Sequence, residues 1–377
     1  MRYISTRGQA SVLSFEDVLL DGLARDGGLY VPQAWPTFDA ATWRAMQGLS
    51  YVEVAQRVMR PFVADCLSDA ELAAMLHDAY HRFEHQQVAP LVQLGPQHFV
   101  MELFHGPTLA FKDVAMQVLG RLYEHVLKKR DAHITIVGAT SGDTGSAAIE
   151  AVRSCGHADI FIMHPHGRTS EVQRRQMTTV DAPNVHNIAI QGTFDDCQSL
   201  LKAMFNDSAF RDEISLSGVN SINWARIMPQ VVYYVTAALS LGAPDREVSF
   251  AVPTGNFGDI FAGYVAKQMG LPIKQLVIAT NINDILTRVM HDGEHALGTV
   301  EPTLSPSMDI QISSNFERLV FDLYGRDPAK VCALMESLRQ TGTFQLDGGV
   351  LDKARHLFAA ERVDEATTLA TIGQVYR

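Results

Sequence analysis

A chain of 377 residues, 47% apolar and 19% charged, is long enough for about two packed domains and has an ordinary globular balance. Its formal net charge of −11 excludes a nucleic-acid binder that works through a concentrated basic surface, and leaves any anionic ligand to be drawn by local cations and backbone dipoles. No apolar run approaches the ~18 residues of a membrane span, residues 1–8 lack the apolar core of a signal peptide, and Cys66, Cys155, Cys197 and Cys332 are scattered as reduced thiols are, so the expected location is cytoplasmic.

Residues 1 to about 90 read as mostly helical, with Gly27, Gly28 and Pro32 marking residues 22–32 as a turn rather than an element. Asp69 to about Gln87 reads as one amphipathic helix that carries His77, His81 and His85 at i, i+4 and i+8. Three imidazoles on one face suit a metal, but no carboxylate or cysteine spacing supports a site, and a solvated face is the better reading. No metal is expected.

From Phe99 strands and helices alternate. Strands are expected at His98–Glu102, His133–Val137, Asp159–Met163, Val185–Ile190, Val248–Val252 and Ile273–Ala279. Helices are expected at Val114–Leu127, Ser146–Arg153, Asp196–Phe205, Ile260–Gln268 and Asn315–Leu323. This rhythm implies an α/β fold with mainly parallel sheets, in which ligands sit at the carboxyl ends of strands. The glycine turns of this chain fall at those ends. The chain finishes in a helical pattern, Asp364 to Tyr376, with no closing glycine or proline, and reads as if it stops early.

Four stretches bear chemistry. The run from Glu102 to Asp113 ends a β-like segment and opens a helix whose Val114, Val118, Leu122 and Val126 share one buried face. Lys112 therefore sits in the first turn and points away from that packing. A lone lysine there is ordinarily a solvated side chain. Phe111, Leu109 and Ala110 surround this one with apolar groups, and a desolvated lysine is a usable nucleophile. The second stretch leads from the apolar Ile134–Val137 through Thr140, Ser141, Gly142, Asp143, Thr144 and Gly145 into an alanine-rich helix. Glycines and hydroxyls at a helix start make an anion site, and the plainer alternative is a strand-to-helix turn with a Ser or Thr cap. No Gly-Lys-Ser/Thr follows the glycines, so ATP is disfavoured.

The third stretch, Pro253 to Asp259, again stands between a strand and a helix, where backbone N–H groups would wrap a phosphate. The fourth is Asn220 to Arg226, with Arg168, Arg174 and Arg175 earlier; guanidinium forks suit a bound phosphate, though each alone is more often a surface charge. His164-Pro165-His166 lacks a third metal ligand and reads as loop. Two anion-type turns and a lysine in one chain point to pyridoxal phosphate.

With these residues in place the sequence resembles the bacterial and fungal branch of the threonine synthases. The resemblance is carried by Glu102 to Asp113, by Tyr3 to Gly8 and Gly27 to Pro32 near the N-terminus, and by Ser141 to Gly145, Ser221 to Arg226 and Gly255 to Asp259. It runs from residue 3 to at least Asn315–Glu317. It implies a fold-type-II, tryptophan-synthase-β-like enzyme with an N-terminal helical domain (1–90) and a catalytic region (91–377). That region would comprise a mobile small subdomain, about 117–216, and a large one, about 91–116 plus 217–377. By the same resemblance Lys112 would hold the cofactor as a Schiff base, beside Phe111 and Asp143, with Gly255, Asn256, Phe257, Gly258 and Asp259 at the cofactor phosphate. Thr140, Ser141 and Thr144 would meet the substrate, and Asn223, Arg226 and Arg168 would meet its phosphate. The implied reaction converts O-phospho-L-homoserine and water to L-threonine and phosphate, in a monomer or homodimer. The rivals are another lyase of the same fold type (a serine/threonine dehydratase or phospho-amino-acid lyase) and a ligand-binding homologue without turnover. In the family a hydroxyl residue from a C-terminal segment contacts the pyridine nitrogen, and no segment matching it follows Asp364–Arg377.

Overall fold

The computed structural model of the protein describes residues 1–140 and 142–376. The fold is mixed α/β with parallel sheets, and the chain divides into two compact units. The first holds residues 1–2, 13–22 and 48–237, and the second holds 3–12, 23–47 and the chain from Ala238 onward. The boundary falls inside one long helix, Trp224–Ser240.

In the first unit four parallel strands lie in the order Val185–Ile190, Ala158–Pro165, Ile134–Ala139, Leu216–Ser217. Ile136 stands opposite Ile160, and both are buried, as β-branched residues are in a sheet covered on both faces. The helix Phe194–Asn206 contributes Cys197 and Leu201 to a core shared with Val137, Met163 and Leu216. The helices Lys112–Arg130 and Asp143–Val152 pack closely enough that a Cβ on Gly120 would stand 2.1 Å from the Ala151 carbonyl oxygen. Gly120 and Ala151 each lie eight residues beyond the first residue of their helix. The two helices therefore run side by side in register, and their starts come together.

Three readings of this region change. The helix Asp69–Tyr80 opens on a Ser68/Glu71 capping box and ends well short of Gln87. Beyond it the chain turns: Val88 adopts a left-handed φ of 59°, and Val88, Ala89 and Pro90 are buried ahead of a strand. His77, His81 and His85 are all exposed, and only His77 lies within the helix. The strand expected at 98–102 forms as Phe99–Met101 but pairs antiparallel with Leu91–Gln93. A tight turn, with Leu94 N–H donating to the His98 carbonyl at 2.9 Å, reverses the chain, so this ribbon stands outside the parallel sheet with Val92 and Val100 exposed.

In the second unit three parallel strands lie in the order Phe358–Arg362, Ile273–Thr280, Val248–Pro253. The edge strand was not expected: its Ala359, Ala360, Glu361 and Arg362 carry little β-propensity, and pairing alone selects it. Residues 22–32 also hold more than a turn. Tyr30–Pro32 pairs antiparallel with Tyr3–Ser5, and Gly28 lies where a Cβ would stand 2.3 Å from Ser5 Oγ. No helix among the described residues is long and apolar enough to cross a membrane.

Candidate active site

Lys112 is the first residue of its helix, and the preceding turn is folded back to place it. Gly106 packs so tightly on Asp113 that a Cβ there would stand 2.4 Å from Asp113 Cβ. The buried Asp113 carboxylate accepts from Thr108 N–H (2.7 Å) and Thr108 Oγ1–H (2.8 Å), and burial pushes its pKa up. Anchored in this way, Lys112 extends its ammonium to Asp143 Oδ2 at 2.5 Å and lies 4.7 Å from the centroid of the Phe111 ring. The side chains of Lys112 and Asp143 are only 12% and 16% exposed. Leu109 does not join them: at φ 60° it turns outward and is 59% exposed.

Asp143 opens the neighbouring helix, and its other oxygen accepts from Thr144 N–H at 2.7 Å. The turn before it is held by buried Thr140, whose Oγ1 accepts from the N–H groups of Gly142 and Gly145, both at 2.9 Å. Ser141 lies outside the described residues. The Lys112 helix starts without a side-chain cap, so its positive dipole end and the ammonium share a small volume, while Thr140 and Asp143 take the first N–H groups of the neighbouring helix. Arg226 joins this group. It is 2% exposed, donates from Nη1 to the Val219 carbonyl at 2.8 Å, and has no partner for Nε among the described residues. Burial pushes its pKa down to about 10, against the opposing charge of the Asp143 carboxylate. A buried guanidinium with a donor unspent is suited to an anion.

The remaining arginine and asparagine candidates have other engagements. Asn223 is fully buried, with Nδ2 donating to the Leu19 carbonyl (2.9 Å) and Oδ1 accepting from Ala225 N–H (3.0 Å). Arg168 is exposed in the loop after Ala158–Pro165. Arg174 and Arg175 both pair with Glu171 on an exposed face.

In the second unit the 255–259 turn is made of backbone. Phe257 takes a left-handed φ of 62°, which is costly for a residue with a Cβ, and is 1% exposed. Its ring packs on Phe316 (5.3 Å, edge-on) and Phe358 (5.7 Å), which offsets that cost. Gly258 then opens the helix Gly258–Gln268 without a side-chain cap. Gly255 lies against the 307–308 backbone, where a Cβ would stand 3.0 Å from Ser307 O. Asn256 is exposed and Asp259 half-buried. An uncapped helix start entered through a left-handed residue fits a phosphate, and a shielded lysine beside a carboxylate fits an aldehyde. These residues therefore suit pyridoxal phosphate. Ser313 and Asn315, which bond to this turn from more than fifty residues away, had no local signal of their own.

The family described as "Threonine synthase N terminus" matches residues 2–80, and the family "Pyridoxal-phosphate dependent enzyme" matches residues 84–348. A threonine synthase of Pseudomonas aeruginosa is 58% identical over 377 residues, which cover 100% of this chain and 80% of that protein. Among solved structures, the PLP-bound threonine synthase of Brucella melitensis aligns with a TM-score of 0.97 at 60% identity, covering 100% of this chain and 81% of that one. The yeast threonine synthase aligns with a TM-score of 0.94 at 42% identity, covering 100% and 79%.

Proposed function

This chain belongs to the threonine synthase family of pyridoxal-phosphate-dependent, fold-type-II enzymes, and from that premise we propose how its residues divide the reaction. It is a lyase that converts O-phospho-L-homoserine and water to L-threonine and phosphate, by loss of phosphate from the γ carbon and addition of water at the β carbon. Bound pyridoxal phosphate supplies an aldehyde for an amine and a ring that withdraws electrons from the substrate carbons.

Lys112 Nζ would hold the cofactor aldehyde and, as a free amine, would move protons at the α and β carbons of the substrate. Its place at the helix start, 2.5 Å from Asp143, carries this reading. The Phe111 ring keeps water from one side of that amine, and Asp143 would be a polar partner for the cofactor. Thr140, Ser141 and Thr144 would meet the substrate carboxylate. Arg226 takes the substrate phosphate through its unspent Nε, with Asn223 fixing the start of its helix and Arg168 as a further cation. Gly255, Asn256, Phe257, Gly258 and Asp259 hold the cofactor phosphate.

The functional division runs 1–90 and 91–377, with a small subdomain of about 117–216 and a large one of about 91–116 plus 217–377. The adjoining family matches, 2–80 and 84–348, support a division of this kind but set it at 81–83, and the parallel sheet spanning 134–217 supports the small subdomain. We read the protein as a cytoplasmic monomer or homodimer that takes small-molecule substrates and no nucleic acid. Assaying threonine and phosphate release together tests the function: phosphate without threonine from O-phosphohomoserine would mark a different lyase.

A further inference from the structure

The carbonyl groups of the 255–259 turn are not left to water. Ser313 Oγ donates to the Gly255 carbonyl at 2.8 Å, and Asn315 donates twice to the Asn256 carbonyl, from its backbone N–H at 3.1 Å and from Nδ2 at 3.0 Å. Both residues are buried, at 4% and 0% exposed. In a trans peptide the carbonyl of one residue and the N–H of the next point in opposite directions. Holding the Gly255 and Asn256 carbonyls towards the 313–315 segment therefore turns the N–H groups of Asn256 and Phe257 away from it. Neither N–H has an acceptor among the described residues, and the helix they lead into has no side-chain cap. Two donors have been aimed and left open.

The asparagine cannot flip to undo this. The fully buried Arg318 donates from Nη1 to Asn315 Oδ1, so the amide must present Nδ2 to Asn256. Arg318 is itself fixed by Nε donating to the Tyr30 carbonyl at 3.0 Å, in the strand paired with Tyr3–Ser5. Further out, Asp309 accepts from Asn281, Asn283 and Thr303 and shapes the loop that lies against Gly255.

We infer that Ser313 and Asn315 are positioning residues that aim the Asn256 and Phe257 N–H groups at the phosphate of the cofactor. This rests on the reading that the 255–259 turn holds that phosphate. It separates two contributions to cofactor binding: Lys112 acts on the aldehyde, and the 313–315 clasp acts only on the phosphate.

The test is to titrate the full-length apoprotein and its variants with pyridoxal phosphate and with pyridoxal, which lacks the phosphate, and to read the absorbance of the bound ring. Ser313→Ala is expected to weaken pyridoxal phosphate binding about 5-fold and Asn315→Asp about 10-fold or more, with pyridoxal binding changed less than about 2-fold. Ser313→Thr keeps the hydroxyl and should restore the preference, which a general loss of packing would not allow. Equal weakening of both ligands, or no change in either, overturns the inference. Gly255→Ala perturbs the turn itself. If it removes the preference for the phosphorylated ligand while Ser313→Ala and Asn315→Asp keep it, the positioning role alone is wrong. If Gly255→Ala leaves the preference intact, the phosphate reading of the turn fails and the inference fails with it.

Discussion

The two poles of cofactor binding, one proposed in each compact unit, are built in opposite ways. Around Lys112 the groups that matter are side chains: an ammonium, the Asp143 carboxylate, the Arg226 guanidinium and the Phe111 ring, placed by helices that start together. At residues 255–259 they are backbone N–H groups, and the side chains of Ser313, Asn315 and Phe257 only fix how that backbone lies. Each pole is therefore vulnerable in a different way. A single substitution at the first removes a reacting group, whereas one at the second changes an orientation and leaves every donor in place.

The largest effect should come from Lys112→Ala, which removes both the cofactor linkage and the proton carrier; threonine formation should fall by at least roughly 10²–10⁴-fold. Near-normal turnover in a continuous phosphate-release assay would falsify the assignment of Lys112.

The second pole carries a pH dependence of its own. His295 is 2% exposed and stacked on Phe344 (4.6 Å) and Phe316, the latter in the helix that begins just after Asn315. Burial, with a smaller contribution from Arg288, pushes its pKa from 6.5 down to about 4. Above the higher value the folded and unfolded imidazoles are both neutral and nothing is lost. As pH falls through this window the unfolded imidazole takes a proton that the folded one refuses, so stability declines by about 3 kcal/mol in all. His295→Phe should flatten that part of the curve. Chemical denaturation of both proteins at pH 7 and pH 4.5 checks it, and parallel curves would count against the buried neutral histidine.

Arg226→Met should lower kcat/KM for O-phosphohomoserine roughly 30- to 100-fold, the scale of a hydrogen bond to a charged group. The preference for pyridoxal phosphate over pyridoxal should survive, because that preference belongs to the other pole. Loss of the preference in this variant would mean the two contributions are not separable. The smallest effect is expected from Gly120→Ala, where the added methyl meets the Ala151 carbonyl and must push the two helices apart. Overpacking of this kind costs about 1–3 kcal/mol, to be read as a lowered Tm. An unchanged Tm would show that the close approach is not needed to bring Lys112 to Asp143.

The side-chain pole was legible in the sequence because residue type and local spacing carry it. Val114, Val118, Leu122 and Val126 mark the helix, and Lys112 follows as its first turn. The parallel strand at Ile134–Ala139 was equally plain from its apolar run. What could not be read locally depends on partners far along the chain. The strand Phe358–Arg362 exists only because Ile273–Thr280 offers it an edge, and Tyr30–Pro32 only because Tyr3–Ser5 does. Phe257 gives no sign in the sequence of a left-handed backbone, and Ser313 and Asn315 are small polar residues like many others until the turn they hold is in place. Backbone-built sites hide in a sequence for this reason.

The central claim is that the amine at position 112 bonds the cofactor aldehyde. Reducing the pyridoxal-phosphate-loaded protein with borohydride, digesting it and locating the pyridoxyl mass among the peptides tests that directly. The mass is expected on the peptide containing Lys112; a stoichiometric adduct on any other lysine would rule that linkage out.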